Sequence, residues 1–183
     1  MDAKSGLSRR TFLGGSALVA ACMAAPVIAA SPRGPKPRWL ALNCSPTGEL
    51  VRETYWADGR YIQGALDRFD WLLRDFRVDE MRAIDPALLD TLHALNLKLG
   101  NTRTLQVISG YRSPATNQML ARQGRGVARN SLHTQGMALD FRIPGYRGFA
   151  VRDAARGLKR GGVGYYARAD FVHLDSGAVR YWG

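Results

Sequence analysis

Histidine is the residue type in this chain best suited to binding a metal or moving a proton near neutral pH, and there are three histidines. His93 lies in a leucine-rich stretch with helical spacing, and we interpret it as an ordinary surface or core histidine. Each of the other two accompanies an acidic residue of a predicted strand. His133 stands seven residues before Asp140, and His173 lies two residues before Asp175.

The alternation of apolar and polar residues predicts which face of a strand each side chain occupies. In the predicted strand 137–143 the apolar side chains lie at odd-numbered positions, so Asp140 projects to the opposite, non-core face. In the predicted strand 171–175 the aliphatic side chains lie at even positions, so His173 projects away from the core with Asp175. Asp140 and His173 can therefore project from one face of one sheet.

A bend at Gly136 would bring His133 to the same place, whereas a straight strand would leave it on the opposite face from Asp140. Two imidazoles and one carboxylate suit Zn²⁺ and leave a fourth position for water, as in catalytic rather than structural zinc sites. The residues alone leave a second interpretation open, in which His133 and His173 are unrelated surface histidines.

Three short motifs carry a resemblance to a known enzyme group. S-x-H-x-x-G-x-A-x-D occupies 131–140, D-x-x-H occupies 170–173, and S-G-x-R-S occupies 109–113. With these motifs the chain resembles the M15 zinc peptidase group, and within it the exported YcbK-like (DUF882) branch of murein endopeptidases. The resemblance implies a zinc-dependent peptidoglycan hydrolase that cleaves stem-peptide cross-links, on a D-Ala-D-Ala carboxypeptidase/hedgehog-like fold. A non-catalytic peptidoglycan-binding module on the same fold is the alternative.

The resemblance also implies a role for individual residues. His133, Asp140 and His173 fall on the Zn²⁺ ligands of the group. Asp170 falls on the general base that acts on the metal-bound water. Arg112 falls on the arginine that binds a substrate carboxylate or the developing oxyanion, and a guanidinium suits either task.

Further residues are expected to shape the site around the metal. Asp175 is interpreted either as a hydrogen-bond partner of His173 or as a rival base. Ser131 and Gln118 are expected to shape the site. Three tyrosines either line the cleft or pack in the core or at the rim: Tyr111, Tyr165 and Tyr166.

The elements that would position these residues mix strands and helices without regular βαβ spacing. This favours a compact α+β domain with a mainly antiparallel sheet, and the resemblance places the zinc site on its non-core face. Strands are predicted over 39–43, 50–56, 105–108, 137–143, 161–166 and 171–175. Helices are predicted from Tyr61 through Phe76, from a cap at Asp85 to a stop at Gly100, and over 115–122 and 149–159.

The first thirty residues resemble a twin-arginine (Tat) signal peptide, because Arg9 and Arg10 precede an apolar run too short to be a stable membrane span. We expect cleavage at residues 29–30, a proline-rich linker at 31–37 and one peptidase domain at 38–183. The expected location is the periplasm of a Gram-negative bacterium. The alternatives are a lipid anchor at Cys22 and a retained N-terminal anchor.

The chain is strongly basic, with 26 Lys and Arg against 15 Asp and Glu and a formal net charge of +11. Without the charges of 1–30 (Asp2, Lys4, Arg9 and Arg10) the net charge is +9. A surface this basic attracts polyanions. The expected partners are peptidoglycan stem peptides, and the export signal argues against nucleic acid. Cys44 is interpreted as a small buried hydrophobic residue, and a monomer is expected.

Overall fold

The computed structural model describes residues 34–124 and 127–183. The predicted signal peptide, Cys22 and the start of the linker lie outside the described residues. No helix in the described ranges is long and apolar enough to cross a bilayer.

One eight-stranded mixed sheet forms the centre of the fold, in the order β3-β2-β1-β4-β5-β7-β6-β8. The strands are β1 (Arg38–Cys44), β2 (Leu50–Ala57), β3 (Arg60–Tyr61), β4 (Leu105–Ser109), β5 (Ala138–Arg142), β6 (Gly162–Tyr166), β7 (Phe171–Asp175) and β8 (Arg180–Trp182). Only the β1–β4 and β6–β8 pairs are parallel. The remaining neighbours pair antiparallel, so the predicted α+β class with a mainly antiparallel sheet is confirmed.

Within residues 34–124 and 127–183, four α-helices and one 3₁₀ turn accompany the sheet. They are α1 (Gln63–Leu72), α2 (Pro86–Leu99), α3 (Pro114–Arg122), the 3₁₀ turn (Leu132–Gln135) and α4 (Gly148–Arg156). Apolar side chains of α1, α2 and α4 join those of the strands in one hydrophobic core. This core buries one face of the central strands and leaves the other face available for polar side chains.

Helix α2 begins and ends where the sequence predicts. The Asp85 side chain accepts a hydrogen bond from the Ala87 amide, Pro86 occupies the first turn, and Gly100 closes the helix with a φ of 62°. These are the cap chemistries that satisfy free backbone groups at helix ends.

Helix α1 is shorter than the spacing of its apolar residues predicts. Leu73 is buried but lies beyond the last helical residue, Leu72. Its carbonyl oxygen accepts a hydrogen bond from the Tyr111 amide, and a Cβ on Gly110 would collide with that oxygen. Leu73 is therefore buried by a loop contact, which produces the same apolar spacing as a helix.

Candidate metal centre

The two central strands β5 and β7 place the first two candidate ligands side by side. Asp140 pairs directly with His173 in the antiparallel register, so both side chains project from the same face of the sheet. The neighbouring Leu139 and Phe141 are fully buried in the hydrophobic core.

The third candidate ligand arrives from the 3₁₀ turn that precedes β5. Gly136 ends this turn with a φ of 71°, and a Cβ there would collide with the Ala83 carbonyl oxygen. This is the bend predicted from the sequence. It brings the His133 imidazole over the sheet, where the side chain is almost completely buried.

The three side chains converge on one point. His133 Nε2 lies 3.3 Å from His173 Nδ1 and 3.3 Å from Asp140 Oδ1, and His173 Nδ1 lies 2.8 Å from Asp140 Oδ1. Ligands bound to zinc at about 2.0–2.1 Å in a tetrahedron are about 3.3 Å apart. The residues therefore fit a zinc-sized cation, and each of them offers one ligand atom.

Each imidazole has a hydrogen-bond acceptor on its other ring nitrogen. His133 Nδ1 lies 2.7 Å from the Gly110 carbonyl oxygen, which can only accept, so Nδ1 carries the proton and Nε2 is free for a metal. His173 Nε2 lies 3.1 Å from Asp175 Oδ2, which leaves Nδ1 for the metal. Such partners orient metal-binding histidines and raise their basicity.

Asp175 is fully buried and serves as an acceptor rather than a base. Its carboxylate also accepts hydrogen bonds from the Gly162 and Gly177 amides and from Arg180. Burial opposes its ionisation, but the bonds from His173 and the two amides outweigh burial and lower its pKa to about 2. Of the two roles considered for Asp175, the geometry favours the partner of His173.

The protonation states in the cluster suit a cation. Burial lowers the pKa of His133. Burial opposes the ionisation of Asp140, but the two neighbouring histidines outweigh it and lower its pKa. Burial also lowers the pKa of His173, yet its hydrogen bonds to Asp140 and Asp175 prevail and raise it. The carboxylates that favour a positively charged His173 would also favour a cation at the same place.

Arg112 lies beside the cluster, in the wall of the same cavity of about 620 Å³. It is only 7% exposed, and burial lowers its pKa. Nothing in the described ranges accepts a hydrogen bond from its Nε. The one hydrogen bond from its guanidinium to a described residue runs from Nη1 to Asn117 Oδ1 and is long at 3.5 Å. A buried guanidinium with spare donors suits an anionic group of a ligand.

The loop that carries Arg112 is held by the buried carboxylate of Asp75. Asp75 Oδ2 accepts hydrogen bonds from the amide and the hydroxyl of Ser113, at 2.9 and 2.8 Å. The Ser113 hydroxyl in turn caps α3 by accepting from the Thr116 amide. The sequence offered no periodic signal for Asp75, because its partner lies 38 residues away.

Asp170, the expected general base, is not part of this cluster. Its Oδ1 accepts hydrogen bonds from the Tyr165 hydroxyl at 2.9 Å and from the Gly148 amide at 3.2 Å, so it caps the start of α4. It lines a separate cavity, and its backbone adopts a left-handed φ of 48° in the β6–β7 turn. Strand alternation does not set the direction of the Asp170 side chain, because Asp170 lies in the turn before β7 begins at Phe171. These contacts give the base assignment of Asp170 no support, and that assignment stays a prediction.

The other predicted site residues separate into two groups. Ser131 and Tyr166 line the cavity beside His133, Asp140 and His173, which we call the metal cavity. Tyr166 stacks on Phe171 with ring centroids 4.5 Å apart. Gln118 lines a neighbouring cavity along α3.

The remaining aromatic and histidine predictions concern packing. Tyr111 donates a hydrogen bond to Glu80 and is buried. His93 lies 3.2 Å from the Trp39 carbonyl oxygen and packs edge-on against Tyr55, as expected of a structural histidine.

Cys44 is a free, buried cysteine, which fits its interpretation as a small hydrophobic residue.

Sequence reasoning missed the residues that β8 contributes. Arg180 and Trp182 both line the metal cavity, and the Trp182 ring lies 5.2 Å from the His173 ring. A three-residue edge strand has too few positions to show alternation. The available signal was the pair of glycines at 162 and 164, because glycine inside a strand often marks a close approach by another group.

Comparison with known proteins identifies the family of this chain. Residues 32–182 match the Peptidase_M15_2 family model, described as Peptidoglycan L,D-endopeptidase MepK. Peptidoglycan L,D-endopeptidase MepK of Escherichia coli (strain K12) is 45% identical over 171 residues, covering 93% of each chain. Probable peptidoglycan L,D-endopeptidase MepK of Haemophilus influenzae is 40% identical over 149 residues, covering 81% of this chain and 80% of the relative. No solved structure was found to match. The chain therefore belongs to the Peptidase_M15_2 family.

Proposed function

We propose that this protein is a zinc-dependent peptidoglycan endopeptidase that hydrolyses a peptide bond between an L-configured and a D-configured centre of the stem-peptide cross-links. The observation that carries the proposal is the convergence of His133 Nε2, Asp140 Oδ1 and His173 Nδ1 in the wall of an open cavity. Family membership supports peptide-bond hydrolysis in peptidoglycan, and the relatives' names supply the L,D class of bond.

The chain's own residues would hold the metal and the substrate. His133, Asp140 and His173 would bind Zn²⁺, which when bound lowers the pKa of its water to about 7 and polarises a carbonyl. Arg112 would donate hydrogen bonds from its buried guanidinium to the carbonyl oxygen as negative charge develops there, or to a free carboxylate of the substrate. Asp140 is the single carboxylate among the described residues that line this cavity. We therefore assign no separate general base.

The surroundings of the cavity fit an anionic peptide. The chain excluding its predicted signal peptide carries a formal charge of +9, and Arg112 and Arg180 line the cavity itself. Stem peptides carry free carboxylates, which such a field attracts. The openness of the cavity on the non-core face also suits a substrate that remains attached to glycan strands.

Location and fold complete the proposal. The twin-arginine leader over 1–30 would export the protein to the periplasm, where peptidoglycan lies. The mixed sheet with its ligands on β5, β7 and the preceding turn is what a D-Ala-D-Ala carboxypeptidase/hedgehog-like fold would present.

Digestion of purified sacculi tests the function directly. Zinc-loaded protein is incubated with sacculi that contain both D,D and L,D cross-links, with and without a chelator, and the products are identified by chromatography and mass spectrometry. We expect chelator-sensitive loss of the L,D cross-linked muropeptides alone, restored by added Zn²⁺. Tight zinc binding without any change in the muropeptides would instead identify a non-catalytic peptidoglycan-binding module.

A further inference from the structure

We propose that the last strand, β8, is a positioning element of the metal centre, in which Arg180 fixes His173 through Asp175 and Trp182 supports the imidazole ring. The proposal rests on the assignment of His173 as a metal ligand. It concerns two side chains that need not touch either metal or substrate.

The sheet order makes this contact unusual, since β8 and β7 are not neighbours. Strand β6 lies between them, with Gly162 paired to Arg180 and Gly164 paired to both Trp182 and His173. Side chains of the outer strand would ordinarily be separated from those of β7 by the side chains of β6.

The two glycines of β6 allow side chains of β8 to reach those of β7. A Cβ on Gly162 would come within 2.9 Å of the Arg180 guanidinium carbon and would collide with Asp175 Oδ2. A Cβ on Gly164 would collide with the indole of Trp182. Gly162 and Gly164 therefore leave space on β6 for the side chains of Arg180 and Trp182, which extend across β6 towards β7. This arrangement accounts for the glycines, which otherwise weaken a strand interior.

The Arg180 guanidinium donates two parallel hydrogen bonds to the carboxylate of Asp175. Its Nη1 lies 3.1 Å from Oδ1 and its Nη2 lies 2.6 Å from Oδ2. Oδ2 is also the oxygen that accepts from His173 Nε2. A bidentate pair fixes the plane of the carboxylate, and that plane sets the direction in which the imidazole points.

Trp182 restrains the same imidazole from another side. The indole and imidazole centroids are 5.2 Å apart with an interplanar angle of 49°. The Arg180 guanidinium carbon in turn lies 5.3 Å from the Trp182 ring centroid. Asp175 therefore holds His173 Nε2, Trp182 packs beside the imidazole ring, and Nδ1 faces Asp140.

Substitution of Arg180 tests the proposal, with Arg156 as the matched control. Arg156 holds the end of the same strand through the carbonyl oxygens of Trp182 and Gly183, and the structure records no contact between it and Asp175 or His173. Arg180→Met and Arg156→Met each remove one guanidinium that anchors β8. Only Arg180→Met removes the two hydrogen bonds to the Asp175 carboxylate.

Two readouts separate positioning from anchoring. Zinc affinity is measured by competition with a chromophoric chelator, and the proton-bearing nitrogen of His173 is identified in zinc-loaded protein by long-range ¹H–¹⁵N correlation. We expect Arg180→Met to weaken zinc binding about 10–100-fold and to broaden or shift the His173 signals. Arg156→Met should keep zinc affinity within about twofold and leave the His173 signals in place. Arg180→Lys should fall between them, because an ammonium keeps the charge without the planar fork.

Wild-type zinc affinity and His173 signals in Arg180→Met would overturn the proposal, as would an equal loss in Arg156→Met. These outcomes are independent of the sacculus digestion. Failure of digestion with normal zinc binding would affect the proposed function, and the positioning result would still stand.

Discussion

Two polar clusters in this molecule show how a structural site differs from one built for a cation. At the outer end of the sheet, Asp90 accepts from the hydroxyls of Tyr55 and Tyr61, at 3.0 and 2.8 Å, and pairs with Arg38 at 2.7 Å. Every contact there joins a donor to an acceptor, and the cluster ties α2 to β1, β2 and β3.

The cluster on β5 and β7 has the opposite character. Around His133, Asp140 and His173, three atoms that all offer lone pairs face one another, since the proton of each neutral imidazole is already committed to Gly110 or Asp175. Acceptors that converge without donors are costly unless a proton or a cation lies between them. The Asp90 cluster needs nothing further, whereas the histidine cluster requires a positive charge to complete it.

Of the predicted changes, removal of the proposed metal ligand Asp140 should have the largest effect, and it tests the difference between the two clusters most directly. In Asp140→Asn we expect zinc affinity to fall by more than about 100-fold, beyond the loss of an outer hydrogen-bond partner, and hydrolysis of sacculi to disappear. Circular dichroism of the metal-free variant checks that it folds, and chelator competition measures zinc. Activity near wild type in a folded Asp140→Asn protein would contradict the metal assignment.

Removing Arg112 should separate catalysis from metal binding. Arg112→Met keeps the aliphatic stem but removes the donors that face the cavity, so kcat/KM should fall about 10²–10³-fold. Zinc affinity should stay within about twofold of wild type. Arg103→Met is the control, because Arg103 bonds the Pro144 carbonyl oxygen and is absent from the lining of the metal cavity.

Removing Asp90 should affect stability alone. Asp90→Ala leaves the hydroxyl of the fully buried Tyr55 without its acceptor, and we expect a loss of about 1–3 kcal/mol in the free energy of unfolding. Urea denaturation measures the change. Zinc affinity and the products from sacculi should not change, and a loss of zinc binding would break the distinction drawn between the two clusters.

Changing Asp170 should have the smallest effect. Asp170→Asn keeps the oxygen that accepts from Tyr165 and Gly148 but removes the negative charge. We expect sacculus hydrolysis within about threefold of wild type, since the carboxylate lies in a different cavity from the metal cluster. A fall of more than about 100-fold in the rate of sacculus hydrolysis, which is the scale of general base catalysis, would identify Asp170 as the general base.

The sequence predicted those parts of the site that depend on local patterns. Alternation in β5 and β7 placed Asp140 and His173 on one face, and Gly136 supplied the bend for His133. The caps Asp85 and Gly100 fixed the bounds of α2 because cap chemistry is local to a few residues.

The sequence could not predict positions that depend on contacts between distant segments. Asp170 has the spacing of a base, but the left-handed β6–β7 turn and the start of α4 decide where its carboxylate lies. Asp75 and Arg180 act through partners that no periodicity reveals. Leu73 continues the apolar spacing of α1 beyond the end of the helix, because contacts with a loop bury it.

The small size and nitrogen-rich composition of the histidine triangle have a consequence for competition among cations. Calcium prefers six to eight oxygen ligands at about 2.3–2.6 Å, and magnesium prefers oxygen octahedra that keep several waters. A triangle of two nitrogens and one oxygen with edges of 2.8–3.3 Å offers neither arrangement. An excess of these hard cations, which accompany anionic cell-envelope polymers, should therefore leave the site to softer metals such as zinc.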